Sequence, residues 1–214
     1  MLQKKDAVLL ILAGGRSSRM GMPKGLLPYK STYWILDQIA SFSTGGETVY
    51  IGLGYDYQLY FDAIPWFEEA LESPQEFHGK KVRVVINHQP EFGLFSTLQS
   101  VLNVLNTAGN KQDIFVLPVD VPLLKISELE KIIVTKNTVV IPEFKGKNGH
   151  PVKLHADFWK SLPAIPITDT DARLDIQIKK LQASEITKVA VKDDVILKNL
   201  NTPEAWKVFM MYSE

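Results

Sequence analysis

Apolar positions in this chain come in short, dense runs separated by polar turns. Residues 7–12 (AVLLIL), 82–87 (VRVVIN) and 113–118 (DIFVLP) are nearly continuous, the pattern of strands covered on both faces. Residues 47–53 predict a further strand. Residues 34–42 are amphipathic, and the aromatic stretch 55–73 predicts helix with an interruption at Pro65. Ser96-Thr97-Leu98-Gln99 has capping-box spacing and predicts a helix through about Leu105. Ser127 and Glu130 predict a second such box, ahead of a helix to about Val134. Two strands, 138–142 and 151–154, are joined by the polar loop KGKNG. A helix at about 174–181 follows, then short strands at 188–191 and 195–197. Thr202 is placed to cap a last helix, with Pro203 at its first position.

Strand and helix alternate through the first two-thirds, which predicts an α/β fold with a doubly wound, mostly parallel sheet. No internal repeat, linker or low-complexity stretch interrupts it, so residues 1–214 read as a single domain. A chain of 214 residues can bury a sizeable core without staples. Basic and acidic residues number 24 each, so there is no global pull toward nucleic acid or membrane, and neither is an expected partner. Any bound anion must be gripped locally. The absence of cysteine excludes disulfides, thiol catalysis and cysteine-ligated metal centres. Two lysines precede the first apolar run, but that run is short and leads straight into glycines and arginines. It reads as a strand, not a signal peptide, and the cytoplasm is the expected compartment.

The first strand runs directly into LAGGRSSRMGMPKGLLPYK. In an open α/β sheet, ligands sit beyond the carboxyl ends of the strands, where this loop begins. Gly14, Gly15 and Gly21 let backbone amides approach an anion closely. Arg16, Arg19 and Lys24 add positive charge, and Ser17 and Ser18 add hydroxyl donors. A polyphosphate suits such a loop best, although a surface turn with incidental arginines has the same composition. It is not a P-loop, because Lys24 is followed by Gly25 instead of Ser or Thr, and GxGxxG is absent. Asp120 lies in VLPVDVPLL, between Pro118 and Pro122, which stiffen the turn after the fourth strand. It could hold magnesium at the same sheet edge, or merely open a turn.

LAGGRSSRMGMPKGLLP resembles the signature of the MobA-like nucleotidyltransferases, which attach GMP or CMP to molybdopterin. The resemblance extends along nearly the whole chain and implies a Rossmann-like fold of the nucleotide-diphospho-sugar transferase type. It implies that Leu12, Ala13, Gly14 and Gly15 meet the nucleotide, with Arg16, Ser17 and Ser18 beside them. Arg19 would meet the phosphates and Lys24 the α/β region. VDVPLL is similar to the family's D-x-P-x-L motif, whose aspartate binds Mg2+, which assigns that role to Asp120. NLNTPEAW resembles the family's closing motif, with Asn199 and Asn201 where carboxylates often stand; Asn201 could be a second metal ligand or only a helix start.

NHQPEFGLFSTLQSVL resembles a nucleotide or acceptor segment, with Gly93 and Ser96 at a helix N-terminus, a place that favours anions but is also compatible with an ordinary capped helix. GKNGHPVKL resembles the GHP segment of the cytidylyl-transferring branch, which would put His150 near the acceptor. Base choice stays divided: the MxPKxLLP wording, Gly93 through Ser96 and GHP point to CTP, the NxNTP ending to GTP. The expected reaction is nucleotidylyl transfer from CTP or GTP to a phosphorylated acceptor, molybdopterin first, with pyrophosphate released. A molybdoenzyme or its chaperone would be the protein partner. The same scaffold also serves isoprenoid-precursor and sugar-phosphate transfer, and a nucleotide-binding regulator without catalysis is the reading from another class. TDTDARLD fails as a calcium loop, with Leu174 at the sixth position and Lys180 at the twelfth. The four histidines lack zinc spacing, no GxSxG elbow is present, and the aromatics of 55–67 read as core or a partner surface.

Overall fold

The computed structural model describes residues 8–43 and 48–212. The starts of two predicted strands, Ala7 and Glu47, lie outside the described residues. The first strand, β1 (Val8–Ala13), is buried along its whole length, as its unbroken apolar run requires. A two-residue hairpin, β2 (Pro28–Tyr29) and β3 (Thr32–Tyr33), leads into helix α1 (Trp34–Ser41) and strand β4 (Thr48–Leu53). Pro65 divides the aromatic stretch into α2 (Tyr57–Ala63) and α3 (Trp66–Glu72). An antiparallel pair follows, β5 (Gln75–Phe77) and β6 (Lys80–Ile86), then α4 (Leu94–Thr107), β7 (Ile114–Pro118) and α5 (Ile126–Val134). The last third holds β8 (Val139–Phe144), β9 (Lys147–Asn148), β10 (Val152–Leu154), α6 (Ala156–Trp159), α7 (Leu174–Lys179), β11 (Ile186–Ala190) and α8 (Pro203–Met211).

Among the described residues nine strands form one sheet, in the order β11-β8-β10-β7-β1-β4-β6-β5, with β9 paired to β8. β7, β1, β4 and β6 are mutually parallel, and β10 runs antiparallel between β7 and β8. The α/β, doubly wound, mostly parallel architecture is therefore as the alternation of elements predicts. Alternate side chains of β1 enter opposite layers. Leu9 and Ile11 join the core that includes Trp34, Ile35, Phe42 and Phe67, and Val8, Leu10 and Leu12 join the core of Leu98, Leu102, Val116 and Trp159. Each fully buried Leu or Ile side chain contributes about 1.5–3 kcal/mol.

Three expectations are corrected. Ser96 does not cap α4: Gly93, at φ +84°, turns the chain and the helix starts at Leu94, so Ser96 sits inside the first turn and donates to the Gly93 carbonyl at 2.7 Å. Ser127 likewise caps nothing; Lys125 is the cap residue of α5, and its carbonyl accepts from Glu128 and Leu129 N–H. Residues 195–197 lie in a 3-10 turn instead of a strand, with Asp193 Oδ1 accepting from Val195 N at 3.0 Å. The antiparallel β5 was not foreseen, because three residues carry too little alternation to register. Thr202 does cap α8, accepting from Ala205 N at 3.2 Å.

One buried polar side chain fixes the turn after β7. Gln38 on α1, 1% exposed, donates to the Val121 carbonyl at 2.8 Å and accepts from Leu123 N at 2.9 Å. Gln38→Met keeps the length of the side chain and leaves both backbone groups unpaired. It should lower the unfolding free energy in urea by about 2 kcal/mol. A loss below about 0.5 kcal/mol would show that Gln38 is not what holds this turn.

Candidate active site

The chain leaves β1 toward β4 and β6, then returns to β7 on the other side of β1. The loops after β1 and β7 therefore stand above the same edge, where a crevice at the switch point is the usual ligand position in such sheets. Val119 N donates to the Leu12 carbonyl at 3.0 Å, carrying the ladder one step past the strands. The turn bearing Asp120 is gripped from α1 by Gln38 and by Trp34 Nε1, which donates to the Val119 carbonyl at 2.7 Å. From the C-terminal segment, Leu200 N donates to the Asp120 carbonyl at 2.8 Å.

The loop after β1 is fastened at its two ends and exposed between them. Gly14 lies against Thr97 of α4, where a β-carbon would collide with the hydroxyl, and its carbonyl accepts from Tyr55 N at 3.3 Å. Gly15, Arg16, Ser18 and Arg19 are exposed, with the Arg16 guanidinium 4.5 Å from the centre of the Tyr55 ring. Ser17 turns at φ +50°, and its Oγ accepts from Lys24 N at 3.2 Å. Lys24 opens the 3-10 turn Lys24–Leu26, whose Gly25 N donates to the buried Tyr60 hydroxyl at 3.2 Å. Burial holds that phenol well above its ordinary pKa, so it stays neutral.

Lys24 Nζ donates to Asp120 Oδ2 at 2.9 Å and to Asn201 Oδ1. Both ends of the ion pair are 16% exposed, so the pair is reachable from the crevice yet partly shielded from water. Segments 96 and 177 positions apart thus bring one cation onto two oxygens. A carboxylate and an amide oxygen are hard donors, and magnesium usually takes only one or two protein ligands, with phosphates and water filling the rest. An ammonium already resting on these two oxygens shows that they can serve a cation together. Among the described residues no cluster of three or more His, Asp or Glu could hold a metal by itself.

On the other side, Asn87, directly after β6, donates to Ser96 Oγ at 2.7 Å and Thr97 Oγ1 at 3.1 Å, while Ser96 Oγ donates to the Gln89 and Gly93 carbonyls. Ser96 is 1% exposed, so its hydroxyl ties the turn together, and exposed Gly93 forms the rim. Asn87, Gln38 and Trp34 are positioning groups that sequence reading missed; a polar residue closing an apolar strand was the available signal for Asn87. Below the rim lies a cavity of about 550 Å³ that reaches Leu12, Pro118 and His150. His150 feels two opposing influences: desolvation, the larger, lowers its pKa, and the Asp120 carboxylate raises it. A larger depression, about 790 Å³, lies at the opposite sheet edge. Its buried Lys153 is committed to Asp113 at 3.1 Å and to the Ile133 and Thr135 carbonyls, so it reads as a structural bridge between β10 and the end of α5.

The sequence profile of the MobA-like NTP transferase domain matches residues 9–183. A nucleotidyl transferase from Methanothermobacter superimposes with a TM-score of 0.69 at 18% identity, covering 98% of this chain and 99% of its own. Rv0371c from Mycobacterium tuberculosis gives 0.68 at 19% identity, with 97% and 98% covered; a further structure of it is a manganese complex. Molybdopterin-guanine dinucleotide biosynthesis protein A from Archaeoglobus fulgidus gives 0.64 at 14% identity, with 97% and 98% covered. At these identities the likeness shows a shared fold. No curated protein matches the chain in sequence. No helix among the described residues is long and apolar enough to cross a membrane.

The lowered His150 pKa has a measurable sign. The unfolded chain takes up this proton first, near the free value of about 6.5, so the stability tied to neutral His150 is full above that pH and declines as pH falls below it. In chelator-containing buffer, the melting temperature of wild type relative to His150→Gln should therefore drop between about pH 7.5 and 5. A constant difference across that range would contradict the burial assigned to this ring.

Proposed function

Because the chain belongs to the MobA-like NTP transferase family, we propose that residues 1–214 act as one catalytic domain, a magnesium-dependent nucleotidylyltransferase. It would move CMP or GMP from CTP or GTP onto the phosphate of a small organic acceptor, molybdopterin first, and release pyrophosphate. The observation that carries this reading is the meeting of Lys24, Asp120 and Asn201 at the switch point, next to an exposed loop of arginines, serines and glycines. Such a surface suits a triphosphate better than any neutral ligand.

The chemistry asks for positioning and charge neutralisation. A phosphate acceptor is already anionic, so its attack on the α-phosphorus needs no strong general base. Leu12, Ala13, Gly14 and Gly15 form the floor under the nucleotide, and Arg16, Ser17, Ser18 and Arg19 face its phosphates. Lys24 can pass its donors from Asp120 and Asn201 to phosphate oxygens, where they balance charge growing on the leaving pyrophosphate. Asp120 and Asn201 would hold the magnesium ion. When bound, that ion supplies further neutralisation along the triphosphate. Gly93 and Ser96 shape the wall beside the nucleotide, and neutral His150 can offer a hydrogen bond to the acceptor without repelling a metal-bound tail. A cytoplasmic setting and delivery of the product to a molybdoenzyme or its chaperone complete the reading.

Lys24→Ala and Asp120→Ala should each reduce pyrophosphate release by about 10²–10³-fold or more while leaving the circular dichroism spectrum intact. Turnover like wild type in either variant would refute the assigned roles. A melting-temperature screen of CTP, GTP, ATP and UTP with magnesium should show one of the first two raising the midpoint by about 5–10 °C at a hundredfold excess over Kd. No response to any triphosphate would overturn the proposal.

A further inference from the structure

Several exposed cations of this surface are held by carboxylates. Lys30 pairs with Asp37 at 3.2 Å, Arg173 with Asp175 at 3.0 Å and Lys180 with Asp171 at 2.8 Å. Arg16 is held differently. It is exposed, and among the described residues it makes no ion pair and no side-chain hydrogen bond. Its partner is the ring of Tyr55, whose centre lies 4.5 Å from the guanidinium carbon. The difference matters at an anion site. A carboxylate would take about two of the five guanidinium donors and set a negative charge beside the loop. An aromatic face attracts the cation through its quadrupole, spends none of those donors and adds no charge.

The ring is placed by the backbone of the loop it faces. β1 and β4 pair in register as far as Ala13 and Leu53, so the two following loops start side by side. Tyr55 N donates to the Gly14 carbonyl at 3.3 Å. That approach requires a glycine at position 54, where a β-carbon would stand 2.6 Å from the Gly14 carbonyl oxygen and 3.0 Å from Pro90 Cβ. On the far side Asp56, at φ +56°, turns the chain into α2. Tyr55 is therefore half-buried and tied to Gly14, two residues before the arginine it faces. Arg19, in the same loop, is exposed and has no partner of either kind among the described residues.

We propose that Tyr55 is a positioning residue for triphosphate binding: its ring holds the Arg16 guanidinium beside the glycine turn with all its N–H donors free for phosphate oxygens. The inference rests on the transferase reading above and adds a residue to it. An arginine on a solvent-facing loop otherwise loses its rotamer freedom only when the ligand arrives. Ordering one such side chain in advance is worth roughly two- to tenfold in affinity.

Calorimetric titration of the full chain with CTP and with GTP, each with magnesium, tests this, read on whichever binds tighter. Tyr55→Leu removes the ring face and should weaken binding about three- to tenfold. Tyr55→Phe keeps the ring and should bind within about twofold of wild type. Arg16→Gln should weaken binding about tenfold or more, and adding Tyr55→Leu to it should cost nothing further, because the ring then has no cation to hold. In an Arg19→Gln background the Tyr55→Leu loss should instead appear in full. In spectra of the chain without nucleotide, the Arg16 Nε–H resonance should shift on Tyr55→Leu, as the ring current is removed, and hold its place on Arg19→Gln. Equal binding by wild type and Tyr55→Leu overturns the proposal, as does a Tyr55→Leu loss that persists undiminished beside Arg16→Gln. A tenfold loss in Tyr55→Phe would assign the effect to the hydroxyl, and an unmoved Arg16 resonance would deny the contact; either also overturns it. If wild type binds neither nucleotide, the transferase reading fails and takes this one with it, whereas binding by wild type with no loss in Tyr55→Leu sinks the Tyr55 role alone.

Discussion

The structure of the crevice depends on one ammonium group shared between two oxygens that the chain brings from distant places. Lys24 meets Asp120 only because β1 and β7 are parallel neighbours, which raises both of their following loops at the same edge. Asn201 joins them because Leu200 N is bound to the carbonyl of Asp120 itself. A carboxylate left without that cation in a partly shielded place would carry a desolvation penalty of order 1–3 kcal/mol or more. The ammonium thus holds the acid in position before any ligand arrives.

Around that contact the molecule is stiff on the inside and open on the outside. Trp34 and Gln38 hold the Asp120 turn from one layer, and Thr97 stops Gly14 from the other. Even the interior hydroxyl of Tyr60 is spent on the backbone of Gly25, one residue past Lys24. Arg16, Ser18 and Arg19, by contrast, face solvent. Rigid supports with exposed donors between them are what a site needs when it must hold a flexible polyanion without first reorganising itself.

The parallel strands were legible because both-face burial writes an unbroken apolar run, as in VLLILA and IFVLP. That the glycine–arginine loop and Asp120 stand at one sheet edge was legible from the strand runs that precede each of them. Helix starts were less so. Ser96 and Ser127 stood at the right spacing for caps, but tertiary turns at Gly93 and Lys125 set the boundaries instead. Gln38 was invisible as a support, since nothing local marks a glutamine whose partners lie more than eighty residues away. The cavity below Gly93 was not legible either, since it exists only once β7, β8, β10 and α7 are assembled.

The separation in sequence of the groups that meet at the crevice also bears on how the chain acquires its working form. Lys24 finds Asp120 across 96 positions and Asn201 across 177. Contacts of that span carry a loop-closure cost that must be met before they return any stabilisation. The pairing of β1, β4 and β6 does not by itself bring Lys24 to Asp120. The meeting of these three side chains therefore exists only once β7 and the C-terminal segment have both joined β1.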